Sequence, residues 1–68
     1  VTIEEAMRRV EEIRAIAGDD ETAHSLEDQL RADFIRWVAK NQQPSDTAQA
    51  IALVVESTRG IEFARWCA

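Results

Sequence analysis

Ser45-Asp46-Thr47-Ala48-Gln49-Ala50-Ile51-Ala52-Leu53-Val54-Val55-Glu56 decides the fold, because it is the one stretch that reads as strand almost as easily as helix. Ile51, Val54 and Val55 are β-branched and suit a pleated surface. Three alanines at 48, 50 and 52 are the strongest helix formers, and Ser45 or Asp46 offers a polar start. Asp46 with Gln49 has the spacing of a capping box, in which side chains and backbone N–H groups satisfy one another reciprocally. The segment therefore reads as a helix over about 46–58, and the chain as all-α. Hardly any polar face is left on it, so it is expected to be the most buried helix.

The flanking segments agree. Towards the N-terminus, Thr2 and Glu5 form another capping-box pattern, and Ile3, Ala6, Met7, Val10, Ile13, Ile16 and Ala17 recur at three-and-four spacing. Glu4–Arg8 and Glu5–Arg9 are i,i+4 pairs in the favourable order. Gly18 suits the left-handed position that ends many helices, which gives a first helix over about 3–17. Asp19, Asp20 and Glu21 then favour a helix start, and Ala23, Leu26, Leu30, Phe34, Trp37 and Val38 share one face of a second helix over about 21–40. Gln42-Gln43-Pro44 makes the connection. Thr58-Arg59-Gly60 closes the third helix, and Ile61 to Cys67 reads as a short fourth helix over about 61–67. The expected architecture is a three-helix bundle with a short C-terminal fourth helix, one domain over 1–68.

Sixty-eight residues bury only about 60% of the surface of the unfolded chain, so tight packing or self-association must hold the fold. One cysteine, Cys67, and one histidine, His24, allow neither an intrachain disulfide nor a Cys/His zinc cluster. A reducing, cytoplasmic setting fits this usage. The longest apolar run, 50–55, is far short of the ~20 residues of a membrane span, and Val1-Thr2-Ile3-Glu4-Glu5 lacks the pattern of a secretory signal. The net charge is −5, and residues 19–33 alone carry six acids against Arg31. Such a face repels a phosphate backbone and argues against a nucleic-acid partner.

The chain also repeats itself once. Asp33-Phe34-Ile35-Arg36-Trp37-Val38-Ala39 returns as Glu62-Phe63-Ala64-Arg65-Trp66-Cys67-Ala68. Phe and Trp three apart share a helical face, and each arginine can pair with acids of its own helix or stack on a ring. Two aromatic anchors in one core is the reading favoured by how few large side chains so small a core can spare. The alternative is that the terminal copy, Phe63, Arg65 and Trp66, faces outward as a binding spot.

The acidic segment Asp19-Asp20 with Ala23-His24, Glu27-Asp28 and Leu30, followed by Asp33-Phe34-Ile35, resembles small helical proteins of actinobacteria and their phages. So does the ending Thr58-Arg59-x-Ile61-Glu62-Phe63-Ala64-Arg65-Trp66. The resemblance spans roughly residues 19–68. It implies a cytoplasmic whole protein, of a host cell if phage-encoded, and no activity that could be carried over to a residue.

No chemistry stands out. Glu21-x-x-His24, with Glu27 and Asp28 beside it, is half of a ferritin-like di-metal pattern and needs a symmetric dimer to complete it. A solvated helix face explains the same residues. Glu4-Glu5 and Glu11-Glu12 are followed by Arg8 and Ala15, where the magnesium-binding helices of nucleotide pyrophosphohydrolases need glutamate. Ser25, Ser45 and Ser57 lack a nucleophile-elbow context, and Cys67 has no base near it in sequence. A helix-turn-helix can be drawn with 59–66 as reader, but that segment offers few polar side chains for base edges. The sequence thus predicts a protein that is not an enzyme, has no cofactor or metal and takes no small-molecule substrate. It is expected to bind itself, or a host protein for which the acidic face of Asp19, Asp20, Glu27 and Asp28 acts as a phage antagonist of a basic surface.

Overall fold

The computed structural model describes residues 1–41 and 44–65. It contains α1 (Ile3–Ala15), α2 (Asp20–Lys40), α3 (Ser45–Glu56) and a single 3-10 turn, Ser57–Gly60, that continues α3. No strand occurs among the described residues. The segment 50–55 is helical, so the alanines and the surrounding helices override its β-branched residues.

Each helix end has a local cause. Thr2 accepts a hydrogen bond from the Glu5 backbone N–H at 3.1 Å, which is the forward half of the expected capping box. Asp19 caps α2 twice, from the Thr22 N–H at 3.2 Å and the Thr22 hydroxyl at 2.9 Å. Those bonds favour its charged form and hold the Asp19 carboxyl below the usual carboxylate range. Asn41 closes α2, with its backbone and side-chain nitrogens both donating to the Trp37 carbonyl. α3 is different: the residue before it is Pro44 and no side chain caps it, so the Asp46–Gln49 box does not form.

The glycines also act otherwise than their positions suggest. Neither has a positive φ. α1 stops at Ala15, two residues early, by tightening into short turns: the Ile16 N–H bonds the Ile13 carbonyl and the Asp19 N–H bonds the Ile16 carbonyl. At the end of α3 side-chain hydroxyls add to the backbone bonds, Ser57 donating to the Val54 carbonyl and Thr58 to the Val55 carbonyl.

The core is Ala6, Val10 and Ile13 of α1, Ala23 and Leu30 of α2, Ile51 and Val55 of α3, and Ile61 beyond them. Burying each of Ile13, Leu30 and Ile51 contributes about 1.5–3 kcal/mol. Phe34 and Trp37 pack against this core with ring centroids 5.9 Å apart, as their spacing requires. Arg9 of α1 crosses to Asp33 of α2 at 2.9 Å. α3 is not the most buried helix. Leu53 is 65% exposed, and only Ile51 and Val55 are fully covered. Among the described residues, the large apolar side chains of Ile3, Met7, Ile16, Ile35, Val38 and Leu53 remain exposed.

The expected fourth helix over 61–67 is absent from its described part. Ile61 leaves the 3-10 turn in an extended conformation (φ −87°, ψ 125°), and residues 62–65 form no helix. The segment 61–65 runs back along α2 as a strap. Residues 66 and 67 lie outside the described residues.

Candidate functional site

The site grows from one residue in an unexpected place. Glu27 belongs to the stripe Ala23–Glu27–Leu30–Phe34, the inward face of α2, and is only 3% exposed. A carboxylate there is costly unless it is paired and hydrogen-bonded. Arg65 of the strap supplies that pairing with a two-pronged grip, Nε to Oε1 at 2.9 Å and Nη2 to Oε2 at 3.0 Å. The planar guanidinium matches the carboxylate, a geometry lysine cannot reproduce.

Arg65 is itself fixed from three further directions. Its Nη2 donates to the Thr58 carbonyl at 2.8 Å and to the Ile61 carbonyl at 3.2 Å, and its guanidinium carbon lies 3.9 Å from the centre of the Phe63 ring. The Ala64 N–H donates to Asp20 at 3.0 Å, which ties the strap to the start of α2. These polar ties hold 61–65 extended where helical hydrogen bonds were expected. Burial pushes the Glu27 carboxyl up, but hydrogen bonds from Arg65 and Thr58 and the charges of Arg65 and Arg31 outweigh it, leaving it below the ordinary value. The hydrogen bond to Glu27 raises Arg65 correspondingly.

Around this pair lies a second group. Arg31, one turn after Glu27, reaches the Thr58 hydroxyl at 3.1 Å and Glu56 at 3.4 Å, and stands 3.9 Å from Glu27. Arg59 pairs with the same Glu56. Glu27, Arg31, Arg59 and Arg65 line one cleft between α2 and the turn where α3 gives way to the strap. The side chains that line it are all charged.

The expected binding residues thus part company. Glu27 and Arg65 come together, but as an internal pair: Glu27 does not belong to the solvent-facing acidic surface. Asp19 is exposed and caps α2, and Asp20 is half-buried and tied to the strap. Asp28 is exposed and sits 3.4 Å from the half-buried His24. Phe63 is half-buried under Arg65, and Trp66 lies outside the described residues. Among the described residues no three His, Cys, Asp or Glu side chains converge as metal ligands, and no helix is long and apolar enough to cross a membrane. The strap also gives the drawn helix-turn-helix no reading helix over 61–65.

No family model, curated protein or solved structure matches the chain.

Thr58, Arg31 and Glu56 were not singled out from the sequence. One signal was there to be used: Glu27 falls on the apolar stripe, and a carboxylate in that position demands a cationic partner. Which arginine answers depends on the strap, whose path no periodicity encodes.

Proposed function

We propose that this chain is a non-enzymatic protein-interaction module that associates with a second copy of itself through apolar helix surface, in a cytoplasmic setting. The observation that carries the proposal is the exposure of Ile35 (66%) and Leu53 (65%) on a domain with so small a core. Ile35 borders a furrow between α2 and α3 lined by Phe34, Ala52 and Val55, where the helices leave apolar surface uncovered. An apolar furrow of this kind is a contact site open to a second copy, and Leu53 adds exposed apolar surface on α3.

Sedimentation equilibrium at micromolar concentration tests the proposal. The wild type is expected to be a dimer or higher oligomer, and Ile35→Glu with Leu53→Glu to sediment as a folded monomer. A wild-type monomer up to about 100 µM, far above the range of specific dimers, would refute it.

A further inference from the structure

The charges in the cleft do not balance. Glu27 takes the two-pronged grip of Arg65 and also faces Arg31 at 3.9 Å. Arg31 and Arg59 share the single carboxylate of Glu56, Oε2 to one and Oε1 to the other. Three guanidinium groups, Arg31, Arg59 and Arg65, thus meet two carboxylates, Glu27 and Glu56, in a protein whose net charge is −5. Both Glu56 and Arg59 lie at the surface. Their side chains are 52% and 74% exposed, and Arg59 is held only by Glu56 among the described residues. The cleft that Arg59 lines with Glu27, Arg31 and Arg65 has a volume of about 390 Å³, ample for a small oxyanion.

We propose that the Arg31–Arg59–Arg65 cleft is a binding site for a phosphate group, and that Glu56 sits in the place of that ligand in the free protein. The Glu56 carboxylate, gripped by two arginines, marks where the ligand's oxygens go. A phosphate dianion carries twice the charge and three acceptor oxygens, so it matches the two arginine forks better than one carboxylate does. Glu27 holds Arg65 along the wall of the cleft, and the Thr58 hydroxyl orients Arg31, so two of the three cations are pre-positioned. Arg31 and Glu56 also line the edge of the α2–α3 furrow, so the two sites adjoin, but the phosphate contacts named here use no residue of a second copy.

The test is a titration of the ¹⁵N-labelled protein with inorganic phosphate at constant ionic strength, following the Nε–Hε signals of Arg31 and Arg59. Saturable shifts are expected with phosphate, and none with chloride. Methyl phosphate in parallel distinguishes a monoester ligand, which it would mimic, from free phosphate, which alone would then bind. Arg59→Gln, at an exposed position that leaves the amide spectrum intact, is expected to weaken binding at least fivefold. Glu56→Gln removes the internal competitor and is expected to tighten binding about threefold. Shifts that chloride reproduces, or an affinity unchanged in Arg59→Gln, would overturn the assignment.

Discussion

The two copies of the acid-Phe-x-Arg-Trp pattern take opposite roles. In the first, Asp33 to Trp37 lies within α2, Phe34 and Trp37 pack beside the core, and among the described residues Arg36 pairs with Asp33 of its own helix at 3.1 Å, in solvent. In the second, the chain around Phe63 is extended, and Arg65 crosses to a buried carboxylate thirty-eight residues away in sequence. The same residue types thus make a surface pair in one setting and an internal latch in the other. What differs is the preceding chain: a continuous helix in one case, a 3-10 turn ending at Gly60 in the other. A short motif carries its side-chain chemistry with it, but not its backbone.

Several substitutions sharpen or break this contrast. The largest effect is expected at the latch. Glu27→Ala leaves Arg65 facing a buried void where its counter-charge was, and should lower stability by about 2–4 kcal/mol, towards the cost of breaking a buried pair. Urea denaturation measures it, and a loss under about 0.5 kcal/mol would place Glu27 with ordinary surface acids. Arg65→Lys keeps the charge but loses the fork, and should cost about 1–2 kcal/mol.

Acid should act through the same carboxylate. Because Glu27 is held below its ordinary value of 4.5 when folded, its contribution is complete above that pH and lost as pH falls through the folded value. Thermal melts from pH 7 down to pH 3 should therefore show a steeper acid decline in wild type than in Glu27→Gln. Parallel declines would mean that the pair does not stabilise the fold.

Much of the bundle was legible in advance, since helix existence follows from periodicity and caps. Thr2 and Asp19 open their helices as their side chains suggest. What was not legible depended on tertiary partners. The heptad-like Phe63 and Trp66 spacing favours a helix locally, but Asp20, Glu27 and the carbonyls of Thr58 and Ile61 offer the strap better bonds than its own backbone would. Likewise Leu53 sits on an almost wholly apolar helix and still faces out, because α3 can turn only one side to α1 and α2. In the candidate site, Asp20, Glu27, Phe63 and Arg65 are named from the sequence, but for a surface role rather than an internal one.

Smaller effects test the hinge and the first copy. Gly60 has no left-handed φ, and a Cβ there would meet nothing within 4 Å. Gly60→Ala should thus stabilise the protein by about 0.4–1 kcal/mol, by narrowing the unfolded ensemble before the strap. A destabilised Gly60→Ala variant would mean that the strap needs a glycine hinge. Smallest of all, Arg36→Ala should change stability by no more than about 0.5 kcal/mol, as expected for a solvent-exposed pair.

The most direct measurement is a double-mutant cycle between the two ends of the latch, Glu27→Gln and Arg65→Met, read by urea unfolding. The strap account predicts a coupling energy of about 1.5–3 kcal/mol, in the range of residues joined in one buried network. Additive single effects, with coupling under about 0.5 kcal/mol, would contradict it.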